Sequence, residues 1–337
     1  MKKYVVGLLL AISSVGYASP SKEVVVYTSV DDVFARPIAE KFEREKGIKV
    51  KLVPDTEETK STGLLNRLLA EKARPQADVF WSGDPVRAAI LKKQSGSAPY
   101  ESKQAKGLPR SFSDGEYHWT GFSSRARIIL YNKNLIAKNE LPKSVKDLAD
   151  TRFNGKGCIA NPLFGTTSMH AAALFEIMGE AEARKFFKAM TANGVKVLSS
   201  NGEVRRRVAA GDCGLGLTDT DDAFEAVRDG KPVAVVYPDE TGMGTLLVPN
   251  AAVLIAKGPN PDAGRAFIDY LLSPETEKAL AEGDAAQMPL RKGVATPAHV
   301  RPIERIHPMK VNYANLAPRL EELSRGFLKQ WVDKANH

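Results

Sequence analysis

The chain has 337 residues, with 48 Lys and Arg against 40 Asp and Glu, for a formal charge of +8. With 43% hydrophobic and 26% charged residues the composition is globular, which excludes a disordered or fibrous chain, and the length suits about two domains. The basic excess is modest and mixed with acids, so it fits an anionic small molecule better than nucleic acid, which calls for a dense basic stripe. The tight cluster Arg205–Arg206–Arg207 fans out on a helix and is read as a solvated face.

At the N-terminus, Lys2 and Lys3 precede an apolar run from Val5 to Ile12, and Gly16–Tyr17–Ala18 places small residues at both cleavage-determining positions. This pattern predicts a secretory leader, residues 1–18, cut after Ala18 and too short to span a membrane. No other segment has the roughly 20 apolar residues that a span requires, and no cysteine near the cut could carry a lipid. The expectation is a soluble periplasmic protein without a membrane anchor, working as a monomer. Its two cysteines, Cys158 and Cys213, each open an apolar run. In an oxidising compartment they are a disulfide candidate, although sequence alone does not set their separation.

In chain order, Val24 to Thr28 reads as a buried strand, followed by a helix with Phe34, Ile38 and Phe42 on one stripe, ending near Gly47. Ile48, Val50 and Leu52 alternate with lysines as a second strand. Ser61–Thr62 caps a helix with Leu64, Leu65, Leu68 and Leu69 inward, and Ala77 to Trp81 is a third strand. This β-α-β-α-β order predicts a parallel sheet covered by helices on both faces. After Asn132 the pattern resumes with strands at Cys158–Asn161, Val195–Leu198, Cys213–Thr218 and Val233–Tyr237, and helices at Thr166–Met178, Glu180–Ala192, Glu203–Ala210 and Asp221–Arg228. Two extended segments, Thr120 to Tyr131 and Thr245 to Ala256, connect the blocks. Helices at Pro261–Leu272 and Pro274–Glu282 follow, then a Pro-rich stretch and one amphipathic helix from Leu316 to Lys334.

In open α/β sheets ligands gather beyond the carboxyl ends of strands, at the N-termini of the following helices. The residues there are Thr28–Ser29–Val30–Asp31, Ser82–Gly83–Asp84, Asn161 to Ser168, Ser199–Ser200–Asn201–Gly202, Thr218 to Asp222 and Tyr237–Pro238–Asp239. Gly165–Thr166–Thr167–Ser168 offers hydroxyls and free amides to an oxyanion, where plain N-capping would need one hydroxyl. Ser200 and Asn201 repeat the pattern. Asp219 and Asp221, flanking Thr220, could take an ammonium or sugar hydroxyls, or ligate a hard cation, although a cap role serves any one of them. Glu57, Glu58 and Lys60 precede the Ser61 helix as a possible cleft lip. The five histidines show no metal-ligand spacing and no P-loop or G-x-S-x-G exists. His170, one helical turn past Thr166, approaches the cleft as a hydrogen-bond donor rather than a base. No catalytic set, metal or cofactor is expected.

The strings "VVVYTSVDDVFARPIAEKFEREKGIKVKLV", "TKSTGLLNRLLAEKARPQADVFW", "ANPLFGTTSMHAAALF", "GLTDTDDAFEAV" and "YPDETGMGTLLVPNAAVLI" resemble extracellular solute-binding proteins of family 1, in the branch labelled ferric-iron or 2-aminoethylphosphonate binding. The resemblance spans Val24 to about Leu328. It implies an α/β, two-lobed type II periplasmic binding protein in which each lobe is a mainly parallel sheet flanked by helices. Two hinge strands, Gly121–Tyr131 and Gly244–Ile255, would join residues 19–120 plus 256–337, including the C-terminal helices, to residues 121–255. Its partner would be the inner-membrane permease of an ABC importer. Iron-binding relatives hold Fe³⁺ with adjacent tyrosines where this chain has Asp219–Thr220–Asp221, and it has no adjacent tyrosines. The expected ligand is therefore a small phosphonate or organophosphate, anionic or zwitterionic. Ferric iron on carboxylates plus a synergistic anion is the alternative, and a phosphatase-type enzyme a more distant one.

Overall fold

The computed structural model describes residues 23–56 and 59–335; the expected leader and its cut lie outside them, as do Glu57 and Glu58. The first lobe is built from β1 (Glu23–Thr28), α1 (Asp32–Lys46), β2 (Lys49–Pro54), α2 (Thr62–Ala70), β3 (Val79–Ser82), α3 (Pro85–Lys93) and the short β4 (Ser97–Ala98). β1 runs parallel between β2 and β3, as the alternation predicts. α3 escapes the periodicity because Pro85 to Leu91 are all buried, so it shows no apolar stripe against a polar face.

β5 (Thr120–Asn132) leads into the second lobe: β6 (Gly157–Ala160), α4 (Gly165–Met178), α5 (Glu180–Ala192), β7 (Lys196–Leu198), α6 (Asn201–Ala210), β8 (Leu215–Asp219), α7 (Thr220–Arg228) and β9 (Val233–Val236). β6 is parallel to both β7 and β8. The chain returns through β10 (Leu247–Ile255) and continues into α8 (Pro261–Leu271) and α9 (Pro274–Glu282).

β5 and β10 are the two strands that join the lobes. The first half of β5 pairs antiparallel with β10, whereas its second half pairs with β8 and β9; β10 in turn pairs with β3. At the crossing the register shifts, with Ser123 at φ 36°. This bulge is held by the Glu277 carboxylate, which accepts from the Ser123 amide at 3.0 Å, and by the Asn250 side chain, which donates to the Ser123 carbonyl at 3.0 Å. A Cβ on Gly121 would lie 2.1 Å from the carbonyl oxygen of Phe112, a backbone atom that no side-chain rotation can clear. Gly121→Ala is therefore expected to cost about 1–3 kcal/mol, read as a lower urea midpoint at unchanged slope.

The C-terminal amphipathic segment is two helices, α10 (Tyr313–Arg325) and α11 (Phe327–Ala335), broken at Gly326 (φ −115°, ψ −106°). They do not stay with the first lobe. Lys93 on α3 pairs with Glu321 at 2.9 Å, while Arg319 pairs with Glu180 of the second lobe. Trp331 stacks edge-on to Phe187 at 5.1 Å and donates its ring N–H to the Phe187 carbonyl at 2.8 Å. The reason is the apolar side of the second sheet: Phe175, Phe186 and Phe187 on α4 and α5 need a cover, and α10 and α11 supply it with Leu316, Leu320, Phe327 and Trp331.

Candidate functional site

Five helices, α1, α2, α4, α6 and α7, start where strands end, and their first residues line one cavity of about 270 Å³ between the lobes. Ser29, Asp31, Lys60, Ser61 and Gly83 come from the first lobe. Gly165, Thr166, Thr167, Ser200, Asn201, Asp219, Asp221 and Asp222 come from the second, and Arg125 comes from β5. No side chain accepts from the first-turn amides of α1 or α4, so amides that have no partner inside a helix are left for the cavity, whereas on α7 the Asp221 carboxylate already accepts from the Asp222 amide at 3.0 Å. Helix N-termini carry partial positive charge, and the two uncapped ones around one space make a seat for an anion.

Behind that seat lies a buried polar network. Arg127 on β5 stands opposite Asp219 on β8 in the antiparallel ladder. Its guanidinium donates to Asp219 at 2.8 Å, Thr166 at 3.0 Å, Thr167 at 3.1 Å and Asn201 at 3.2 Å. Thr166 in turn donates to Asp219 at 2.7 Å, and the Asn201 amide donates to Thr166 at 2.8 Å. Burial alone would push Asp219 up, but the charges of Arg127 and Arg125 hold it below the usual carboxylate range. Asp219 is thus an anchor for the arginines and the threonine, not the open carboxylate expected for a ligand's ammonium.

Asp221 and Asp222 are different. Burial, followed by the neighbouring carboxylates Asp222, Asp219 and Asp31, pushes Asp221 up to about 7 even though Arg125 opposes it. Burial and Asp219 push Asp222 up to about 6. The lining holds six carboxylates (Asp31, Asp32, Asp219, Asp221, Asp222 and Glu225) against three cations, Lys60, Arg125 and Arg205. Lys60 pairs with Asp31, Arg205 with Glu225, and Arg125 reaches Asp219 and Asp221 at 3.4 and 3.5 Å. The surplus charge sits on Asp221 and Asp222, so the cavity joins an anion seat to a place that favours a cation.

The lobes touch across this cavity. The Gly165 amide donates to the Lys60 carbonyl at 2.9 Å, and Arg125 donates to the Gly83 carbonyl. Deeper, Arg87 of α3 donates to the Gly165 carbonyl at 3.2 Å and to Ser168 at 2.6 Å.

Of the residues expected in the site, Ser29, Asp31, Ser61, Gly165, Thr166, Thr167, Ser200, Asn201, Asp219 and Asp221 line the cavity. Seven do not. Thr28 donates to the Trp81 carbonyl, Ser82 to the Asp84 carbonyl, and Asp84 caps α3 through the Arg87 amide. Thr220 accepts from the Ala126 amide, Ser168 faces Arg87, and Tyr237 lies under the Arg301 guanidinium. His170 points to the far side of α4, into an apolar pocket with Leu174, Phe186 and Leu217. Burial and then the Arg127 charge push it down to about 3, so it stays neutral. Cys158 and Cys213 stand here as two buried thiols.

Arg125 and Arg127 escaped a reading confined to loops after strands, because they sit inside β5. Their signal was present: two arginines at i and i+2 in the otherwise apolar run Arg125 to Leu130 share one face of a strand. Arg205, read as solvated, lines the cavity through its pair with Glu225.

Comparison with known proteins agrees with this architecture. The family model for bacterial extracellular solute-binding proteins matches residues 37–303. Iron uptake protein A1 of Synechocystis sp. is 27% identical over 292 residues, covering 82% of this chain and 79% of that protein. The iron-bound structure of HitA from Pseudomonas aeruginosa superposes with a TM-score of 0.81 at 23% identity, over 91% of this chain and 99% of that one. The periplasmic binding protein AfuA from Actinobacillus pleuropneumoniae, with fructose-6-phosphate bound, gives a TM-score of 0.82 at 21% identity, over 94% and 99%. Among the described residues no helix is long and apolar enough to cross a membrane. With two lobes, two connecting strands and a polar cavity between them, the chain has the type II periplasmic binding protein fold and belongs to the bacterial extracellular solute-binding protein family.

Proposed function

We propose that the cavity captures a small zwitterion, a phosphonate or phosphate ester bearing an amine, and presents it without chemical change to the permease from the periplasm. The observation that carries this reading is the pairing in one cavity of the two uncapped helix N-termini of α1 and α4 with the surplus carboxylates Asp221 and Asp222. The anion would sit on the amides of α4 and α1 and the hydroxyl of Thr167, and the ammonium would face Asp221. Contacts from both lobes make the ligand favour the closed arrangement, which is what couples capture to delivery. AfuA, with its bound sugar phosphate, shares the fold, which is consistent with a phosphate seat here.

Ferric iron is the second reading, favoured by relatives named for iron and by Asp219, Asp221 and Asp222, whose oxygens lie within 4.8 Å of one another. Against it, no tyrosine lines the cavity among the described residues, and Asp219 is already engaged by two arginines. A thermal-shift comparison of 2-aminoethylphosphonate, fructose-6-phosphate and ferric citrate separates the two. A ligand at a hundredfold excess over Kd adds about 2.7 kcal/mol to apparent stability. The reading expects that gain with the aminophosphonate. A saturable gain with ferric citrate and none with either organic anion overturns it.

A further inference from the structure

We propose that Cys158 and Cys213 are joined by a disulfide bond in the exported protein. They are the chain's two cysteines, so no other intrachain pairing competes. Cys158 is the second residue of β6, and Cys213 lies two residues before β8, the strand parallel to β6. At this point the two backbones are fixed side by side: the Lys156 carbonyl accepts from the amides of Gly214 at 2.8 Å and Leu215 at 3.2 Å. Both side chains face the same apolar cluster with Val204 and Val208, at 0% and 1% exposure. The Cys158 thiol donates to the Leu215 carbonyl at 3.6 Å, which holds its sulfur against the start of β8.

Oxidation removes two protons and two electrons from the pair, and the acceptor is a protein disulfide in the exporting compartment. The Cys213 thiol, held below its ordinary range by the neighbouring Cys158 and by the charges of Lys196 and Arg207, attacks as thiolate a sulfur of the acceptor disulfide. A mixed disulfide forms and one acceptor thiolate leaves. Cys158, deprotonated, then attacks the Cys213 sulfur, closing the new bond and releasing the acceptor with two thiols. Since both sulfurs are buried in the finished fold, exchange takes place before the second lobe closes, and the bond is afterwards shielded from reductant.

The bond would enclose α4, α5, β7 and α6, the segment that carries Gly165 to Thr167 and Asn201 to the cavity. The sulfurs sit at the opposite ends of β6 and β8 from the cavity, so the bond would stabilise the second lobe and leave ligand affinity nearly unchanged. The inference rests on export, and one experiment reads both. The full chain with its own leader is expressed in a two-membrane host, and the periplasmic protein is denatured in alkylating agent without reductant and weighed. The expected mass lacks the leader, carries no alkyl group and is two hydrogens lighter than the dithiol. Reductant under denaturing conditions should then expose two thiols. The Cys158→Ala/Cys213→Ser double variant should melt roughly 5–10 °C lower. A leaderless chain with two alkylated thiols, or a disulfide-linked dimer, overturns the bond. A chain that keeps its leader in the cytosol overturns the export on which it rests.

Discussion

Replacing Arg127 by Met should lower the stability of the unliganded protein by about 3–5 kcal/mol, because it strands a buried carboxylate. Asp219 is 1% exposed and Arg127 fully buried, so neither can turn to water for its missing partner. Arg125 remains, but at 3.4 Å rather than 2.8 Å and already divided among Asp219, Asp221 and Gly83. The same substitution releases the hydroxyls of Thr166 and Thr167, which Arg127 holds at the first turn of α4, so ligand affinity should fall along with stability. Urea denaturation measures the first effect. The double variant Arg127→Met/Asp219→Leu separates causes: removing both charges should restore most of the lost stability while leaving binding impaired. A single variant within about 0.5 kcal/mol of wild type would show that the network does not hold the site.

Asp221→Asn should do the opposite to the empty protein and more harm to the loaded one. In the folded state burial and three neighbouring carboxylates raise Asp221 to about 7, so the native protein binds this proton more tightly than the unfolded chain, where it titrates near about 4. Its contribution to stability is therefore full below about pH 4, declines as pH rises to about 7 and is flat beyond. The asparagine variant lacks that decline and should be more stable than wild type at pH 8 by about 1–3 kcal/mol, with the difference vanishing near pH 4. Thermal melts across that range check the sign. An ammonium placed against Asp221 would relieve the strain in the wild type, and losing the charged partner should weaken an aminophosphonate by about 100-fold or more. Binding by the wild type near pH 6–7 should also release protons, seen as a calorimetric heat that varies with the buffer's ionisation heat. A variant that is less stable at pH 8 and binds equally well would remove Asp221 from the site.

Much of this architecture could be read from the chain because its strands and amphipathic helices alternate cleanly, and because loops after strands are where such folds keep their ligand residues. Ser29, Asp31, Ser61, Thr166, Thr167, Ser200, Asn201 and Asp221 followed from that rule. The same rule admitted too much, since successive helical residues point about 100° apart. Thr166 and Thr167 face the cavity, whereas Ser168 meets Arg87 and His170 the core. What lay beyond local pattern was long-range pairing. Nothing near Asp219 in sequence announces Arg127, which reaches it across a ladder from a residue 92 positions away. α3 was hidden by being buried on every side, and the split at Gly326 by an amphipathic pattern that continues through it.

The most direct measurement is isothermal titration of the wild-type protein with two ligands that differ by one group, 2-aminoethylphosphonate and ethylphosphonate. A cavity that seats the phosphonate on helix ends and the amine on Asp221 predicts one site for both, with the amine-free compound about 100-fold weaker. Equal affinities, or heat from neither compound alongside saturable uptake of iron, would contradict it.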